Sequence, residues 1–248
     1  MKLSKKLKIV ICGLQVLLLT SSSDLLAEPK GEFSNYEVRV IRPRYFQKSK
    51  KFELGVQAYA IMNQTFIYSY LGSAMLGYHI SENLSVEANG AFGFSLDRDE
   101  KRALSDEYKI YTKIMRTQYS AGGMLLYTPM YGKWQVASGR LIYFDTYAAV
   151  GGGITGIDLQ YSDFCAPQVD ANNLRVPPPA DRTASYPTIS FGIGQRYFIE
   201  QDIAVKWDLR NHSMFYNTVD VSCDASATSG DSAVHHNLTL QFGASKFF

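Results

Sequence analysis

The sequence has few histidines and cysteines, and beyond its first 27 residues it has no long apolar run. No later segment approaches the 18 consecutive apolar residues that a membrane-spanning helix needs. Its four His include the adjacent pair His235 and His236, which would point to opposite faces of a strand, and no other spacing completes a metal site. The glycines of "GGGITG" match no nucleotide-binding fingerprint. The sequence therefore predicts no transmembrane helix and gives no basis for a metal or a cofactor.

Residues 1–27 have the composition of a secretory signal peptide. Four lysines between positions 2 and 8 precede an apolar stretch at 9–19, and a small polar patch leads to Ala27, after which we expect cleavage. The apolar stretch is too short for an uncleaved anchor. The rest of the chain holds 21 basic and 22 acidic residues, a net charge near −1. The basic balance of the whole sequence therefore belongs to the export segment, and we expect no nucleic-acid partner.

Aromatic residues and glycine are abundant, with 17 Tyr, 14 Phe and 19 Gly. This combination suits a β-barrel with interfacial aromatic girdles, although a secreted β-sandwich can share it. We assign residues 28–51, which are polar with basic patches, to a periplasmic lead-in and residues 52–248 to one β domain.

From residue 52 onward, apolar and polar residues alternate with the period of two that is typical of β-strands. The segment from Leu84 to Leu96 is the clearest case, with Val86, Phe92 and Phe94 on one face. We predict eight strands, beginning near residues 52, 66, 84, 117, 139, 188, 203 and 234.

The predicted connections alternate in length. Short turns at 81–83, 128–133 and 200–202 alternate with longer connections at 97–116, 158–185 and 214–232, and the first connection, near residue 63, is the exception. Transmembrane barrels have short turns on one rim and long loops on the other. We therefore predict an all-β fold, an eight-stranded antiparallel up-and-down transmembrane β-barrel whose last strand pairs with the first.

If the apolar faces meet lipid, the opposite faces carry charge into the interior. An eight-stranded barrel has room only for side chains there, and lone buried charges are costly, so we predict a paired polar network that plugs the barrel. Two alternatives stay open at this point: a soluble barrel with the faces inverted, and a proton or ion path. The network residues are Glu53, Glu87, Asp145, Arg196, Lys206, Asp208 and Arg210.

Cys165 and Cys223 lie in the two longest predicted external loops. Cys12 falls in the signal peptide, so these two are the cysteines left in an oxidising compartment. We predict a disulfide that joins the two loops.

The segment "NHSMF" offers the strongest hint of an enzyme. Its His212 and Ser213 are adjacent, so on a strand they point to opposite faces unless a bulge intervenes, and they cannot form a triad. We therefore predict no catalytic residue and no enzyme, and keep a lipid-modifying enzyme as an alternative.

The last residues, "QFGASKFF", resemble the carboxy-terminal recognition signal of bacterial outer-membrane barrels. Gln241, Gly243 and Phe248 match that pattern, and Lys246 stands where an apolar residue is usual. The resemblance implies the barrel assembly machinery as a partner.

A wider resemblance covers most of the chain after the signal peptide. It is to the outer-membrane β-barrel domain family of myxobacteria and predatory deltaproteobacterial relatives, and it implies an eight-strand barrel of the outer-membrane protein A type with no agreed activity. We thus expect a Gram-negative outer-membrane protein, surrounded by outer-membrane lipid, whose external loops have a structural or surface-interaction role. A narrow channel is the remaining alternative. The matching motifs are "KKFELGVQ", "LGYHISENLSVEANGAFGF", "LLYTPMYGKW", "FDTYAAVGGGIT", "FGIGQRYFI" and "VKWDLRNH".

Overall fold

The computed structural model describes seven stretches of the chain: 46–108, 112–135, 141–165, 168–169, 175–176, 179–223 and 229–248. The predicted signal peptide and residues 28–45 of the predicted lead-in lie outside the described residues.

Eight antiparallel strands close into a barrel in which each strand pairs with its neighbours in sequence and the last pairs with the first. This arrangement confirms the predicted all-β, up-and-down fold. The strands are β1 (Phe52–Ile61), β2 (Ile67–His79), β3 (Leu84–Asp97), β4 (Arg116–Gln135), β5 (Leu141–Leu159), β6 (Arg182–Phe198), β7 (Ile203–Asn217) and β8 (Ser232–Phe247).

Short elements lie in the connections. Helix α1 (Asp99–Asp106) lies between β3 and β4, and α2 (Tyr161–Phe164) follows β5. Two two-residue strands, Gln168–Val169 and Arg175–Val176, pair with each other before β6, and a 3-10 helix (Thr218–Val221) follows β7. Among the described residues, no helix has the length and apolar character that a membrane crossing requires.

The seam between β1 and β8 closes the barrel. Their register runs from Glu53 opposite Phe247 to Ile61 opposite Thr239. The Phe248 amide donates to the Phe52 carbonyl at 2.9 Å, and the Phe52 amide donates back to the Phe248 carbonyl at 3.2 Å. Pairing therefore continues to the last residue, and the closed ring leaves no unpaired strand edge at this seam.

Apolar side chains point outward from the barrel and polar side chains point inward. On β1, Leu54 and Val56 are 54% and 65% exposed, while Glu53 and Gln57 are 2% and 5% exposed. In a soluble barrel the apolar face would form the core. The alternative with inverted faces is therefore wrong.

Outward-facing aromatic side chains lie near both ends of the barrel, and others, such as Phe92 and Phe242, lie between them. We call the end with the 81–83 and 200–202 turns the turn end, and the opposite end the loop end. Phe52 and Tyr78 pack at the turn end with ring centres 4.9 Å apart, and Tyr68 and Tyr70 stack near the loop end at 6.4 Å. The strand between Tyr68 and Tyr78 spans about 25 Å along the barrel axis at the usual rise and tilt.

The predicted turn at 128–133 is wrong, because β4 continues through it to Gln135 and β5 begins at Leu141. A register shift between Tyr127 and Met130 breaks the ladder to β5 around Pro129. Proline has no amide hydrogen to donate, so an irregular position of this kind accommodates it without ending the strand.

Strand β6 begins at Arg182, before its predicted start at 188. Pro187 lies within this extension and pairs with Ile154 of β5, whereas pairing with β7 starts only at Thr188. Pro187 thus lies where β6 has a neighbour on one side, which tolerates its missing amide hydrogen.

Candidate functional site

The interior near the turn end holds a group of ionic side chains that we call the turn-end cluster: Lys48, Glu53, His79, Asp145 and Arg196. Arg196 bridges the two acids, with Nη2 3.0 Å from Glu53 Oε2 and Nη1 3.4 Å from Asp145 Oδ2. Lys48 forms a second ion pair with Asp145, and His79 Nε2 lies 2.9 Å from Glu53 Oε2. Each carboxylate in this cluster therefore has two nitrogen partners.

A second group, the central cluster, consists of Glu87, Lys206, Asp208 and Arg210. Glu87 accepts from Lys206 at 2.9 Å and from Arg210 at 3.1 Å. Arg210 also donates to Asp208 at 3.2 Å. Two neutral groups also donate hydrogen bonds to the Asp208 carboxylate, the Tyr147 hydroxyl at 2.7 Å and the Gln57 amide at 2.8 Å. This pairing offsets the cost of removing the charges from water.

The structure brings the seven predicted network residues together on the interior face, and each is at most 4% exposed. They comprise four acids and three bases, so by themselves they would leave one negative charge. Lys48, at 2% exposure, supplies a fourth cation, so among the described residues four buried Asp and Glu side chains are matched by four buried Lys and Arg side chains, with His79 also buried beside Glu53. Sequence analysis missed Lys48 because it lies in a basic stretch that resembles an exposed lead-in.

Residues 46–51 fold into the turn end of the barrel. The Phe46 ring packs against Phe247 and Phe198, with ring centres 4.9 and 5.8 Å apart. The chain then turns into β1 through Lys50, whose φ of 62° is left-handed, and the Lys50 amide donates to the His79 carbonyl at 2.7 Å. This segment lies across the interior at the turn end.

The two cysteines predicted to pair are joined in the structure, which confirms the disulfide between Cys165 and Cys223. They lie in an apolar cluster at the loop end, the outer cap, which joins the ends of several strands to the connections beyond them. The buried members of the outer cap are Met115, Ile157, Leu159, Tyr161, Cys165, Tyr186, Met214 and Val221.

Polar contacts tie the connection after β7 to the outer cap. The Tyr161 hydroxyl donates to the Asp220 carbonyl, and Arg182 Nη2 lies 2.9 Å from Asp220 Oδ1. Next to the cap, partial burial lowers the pKa of Lys113, whose ammonium lies 5.6 Å from the centre of the Tyr216 ring. The described parts of the connections therefore form a packed layer on the barrel.

His212 and Ser213 point to opposite faces, as their adjacency predicts, and each has a partner on a neighbouring strand. Inside, His212 Nδ1 lies 2.7 Å from Ser190 Oγ. On the outer face, Ser213 Oγ lies 2.9 Å from His236 Nδ1 and accepts from Asn211 Nδ2 at 2.9 Å. Sequence spacing could not reveal this serine and histidine pair, because it depends on the register between β7 and β8.

The residues that match the terminal signal lie on β8 and just beyond it. Gln241 is buried and donates to Thr239 Oγ1 at 3.0 Å, whereas Phe248 is 64% exposed. Gly243 lies against β1, where a Cβ atom would come within 2.4 Å of both the Val56 carbonyl oxygen and Gln57 Cγ. A side chain at this position is thus incompatible with the close approach of β8 to β1.

The charged clusters differ from a metal site, because every acid is already paired with a base. Among the described residues, no group of three or more His, Cys, Asp or Glu side chains is placed to hold a metal ion. The arrangement can hold the strands in register and fill the interior.

Solved structures that are similar to this chain include bacterial outer-membrane barrels. The N-terminal β-barrel domain of Pseudomonas aeruginosa OprF is 10% identical over 82% of this chain and all of its own, with a TM-score of 0.45. OprG from the same organism is 11% identical, over 83% of this chain and 99% of its own, with a TM-score of 0.43. Neisserial surface protein A is 12% identical, over 81% of this chain and 98% of its own, also with a TM-score of 0.43.

No family model and no curated protein matches the chain. At these TM-scores the fold assignment rests on the strand order and pairing of this chain itself. The narrower resemblance to a myxobacterial family rests on the sequence motifs alone.

Proposed function

We propose that the protein is a Gram-negative outer-membrane β-barrel with a structural or surface-interaction role. The observation that carries this proposal is the polarity of the wall: apolar side chains face outward around a charge-balanced interior. A surface with so many exposed apolar side chains would promote association in water, whereas it matches the hydrocarbon layer of a bilayer. The aromatic groups near both ends fit the two membrane interfaces.

The filled interior supports a structural role over conduction. Arg196, Arg210 and Lys206 are at most 1% exposed, and Phe46 packs against Phe198 and Phe247 across the turn end. An eight-stranded barrel has an interior just wide enough for side chains. We therefore propose a barrel that does not conduct ions.

The loop end is the surface through which such a barrel would meet partners outside the cell. The disulfide and the outer cap hold the connections after β5 and β7 together. Loops held by a rigid scaffold are where binding residues concentrate. We propose that this packed layer is the interaction surface.

A second candidate function, lipid modification, is favoured by the Ser213 and His236 contact on the outer face. A serine nucleophile needs a histidine base, and the histidine in turn needs an orienting group. In the described part of the chain, no carboxylate pairs with His236. Hydrolysis of an ester lipid that is lost in Ser213→Ala and kept in Ser190→Ala would support this function, and equal background hydrolysis by both variants would reject it.

Membrane fractionation with a heat-modifiability gel tests the main proposal. We expect the protein in the outer-membrane fraction, with a shift in mobility between unboiled and boiled samples, because a closed barrel resists detergent until it is heated. A soluble periplasmic protein without a shift would overturn the proposal. The same preparation, analysed by mass spectrometry of the N-terminal peptide, tests cleavage after Ala27.

A further inference from the structure

We infer that the outer wall of the barrel carries a binding groove for one acyl chain of a phosphate-bearing outer-leaflet lipid, with Arg98 holding the phosphate. The inference rests on the outer-membrane location proposed above. The groove has a volume of about 450 Å³, which lies within the usual range of ligand pockets.

The groove exists because small residues lie between large ones on the outward face. Ala58 of β1 lies opposite Gly72 of β2 on one side and opposite Phe242 of β8 on the other. Gly72 lies in turn opposite Phe92 of β3. The two phenylalanine side chains are 58% and 64% exposed, so they form walls on both sides of a floor of alanine and glycine.

The floor is open to an occupant. A Cβ atom at Gly72 would meet no other atom within 4 Å, so the space above it belongs to no side chain of the described residues. Tyr70 and Phe94 continue the wall toward the loop end, with ring centres 6.2 Å apart. An acyl chain in such a hollow contacts protein on several sides, which increases dispersion contacts over those on a flat wall.

A cation lies above the groove, in line with it. Along β2, Gly72, Tyr70 and Tyr68 follow one another on the outward face toward the loop end, and the two tyrosine rings stack. The guanidinium carbon of Arg98 lies 3.9 Å from the centre of the Tyr68 ring. The cation therefore lies at the level where the outer aromatic group meets the headgroup layer.

Arg98 is available to bind an anion. Within the described stretches it forms no ion pair, because the neighbouring carboxylate of Asp97 is engaged by Lys101 at 2.8 Å and Arg116 at 2.6 Å. The carboxylate of Asp99, on the first turn of α1, is fully exposed and lies 4.0 Å from Arg102 Nη1, so it pairs with Arg102 and not with Arg98. The Nε atom of Arg98 is buried, so the phosphate would be held by the two terminal Nη groups, which remain on the edge of a planar guanidinium that stacks on an aromatic ring. An apolar groove topped by such a cation fits a lipid that carries both an acyl chain and a phosphate.

Filling the groove tests the acyl-chain part of the inference. Gly72→Leu places a side chain in the open space, and Gly90→Leu is its matched control, because Gly90 is also open on the outer face but does not line the groove. Native mass spectrometry of the folded barrel in detergent measures retention of dimyristoyl phosphatidate. We expect one retained lipid, and roughly tenfold weaker retention in Gly72→Leu, because the lost contact amounts to a few methylene groups.

Removing the cation tests the headgroup part. In Arg98→Gln we expect the preference for dimyristoyl phosphatidate over dimyristoylglycerol, which lacks the phosphate, to fall roughly fivefold, as expected for one basic residue near the membrane surface. Lys246→Gln is the control, since Lys246 lies 5.7 Å from the Phe248 ring at the turn end. That variant should keep the preference of the unmodified protein.

Every preparation is first checked for the heat-dependent shift in mobility, so a failure of the barrel proposal shows before any lipid is added. Ala60→Leu fills the same groove from β1 if Gly72→Leu does not fold. Equal retention by Gly72→Leu and the unmodified protein, or equal loss in Gly90→Leu, would overturn the inference. A paired barrel that Gly72→Leu dissociates would assign the groove to a second copy of the chain and would also overturn it.

Discussion

Replacing Glu87 by alanine should destabilise the barrel more than any change to an exposed ion pair. Glu87 is 4% exposed and accepts from two cations, Lys206 at 2.9 Å and Arg210 at 3.1 Å. At an effective dielectric constant of about 20, each contact amounts to about 5 kcal/mol of attraction, much of which offsets desolvation. The variant leaves two buried cations with a single remaining acid, Asp208, so we expect a loss of about 3–5 kcal/mol in the free energy of unfolding.

A double variant separates charge imbalance from lost packing. Glu87→Gln with Lys206→Met removes one acid and one base, and Arg210 keeps its contact with Asp208. We expect this pair to recover most of the stability lost in Glu87→Gln alone, because a balanced interior with fewer charges is often no less stable.

Urea unfolding in detergent measures these changes, with the folded fraction read from the heat-dependent gel shift and extrapolated linearly to water. Asp202→Asn is the control: its partner Lys246 lies 3.4 Å away and both side chains are about half exposed, so a loss of at most about 1 kcal/mol is expected. A loss below about 1 kcal/mol in Glu87→Ala, or no recovery in the double variant, would refute the view that interior pairing stabilises the barrel.

Three further changes test other parts of the barrel. Cys165→Ser should lower the free energy of unfolding by up to about 4 kcal/mol, the entropic value for a closure of 58 residues, and should speed proteolysis at the loop end in a time course. Equal digestion rates would contradict a tether between the loops. Gly243→Ala should reduce the heat-shifted fraction on refolding, since its Cβ would clash with β1, whereas Gly72→Ala should not. Phe46→Ala should cost about 3 kcal/mol in urea unfolding, because the ring packs in a buried aromatic cluster. An unchanged midpoint would mean that the segment does not stabilise the turn end.

The sequence predicts the number of strands, their faces and the disulfide because each depends on a local or countable feature. Alternation assigns Glu53 and Asp145 to one face without knowledge of their partners, and the two cysteines outside the predicted signal peptide have one intramolecular pairing. Local features do not predict where a strand ends when pairing with a neighbouring strand determines that boundary. Pro129 resembles a turn signal, yet the register shift between β4 and β5 accommodates it within a strand.

The partners within the clusters could not be predicted, because they depend on barrel register. Glu87 meets Lys206 and Arg210 across the interior, from strands that are distant in the chain. Ser213 meets His236 for the same reason on the outer face. A pattern with a period of two identifies the face of a residue, whereas its height in the barrel follows from the pairing of all eight strands.

Lys48 lies in the segment before β1 and contributes a positive charge to the barrel interior. With the seven network residues alone, Arg196 would have to compensate both Glu53 and Asp145, and the interior would keep one negative charge. Lys48 removes that charge through its ion pair with Asp145, and Phe46 anchors the same segment against Phe198 and Phe247. Residues 46–51 therefore complete the electrostatics of the barrel interior, so this short segment acts as part of the barrel and not as a linker to it.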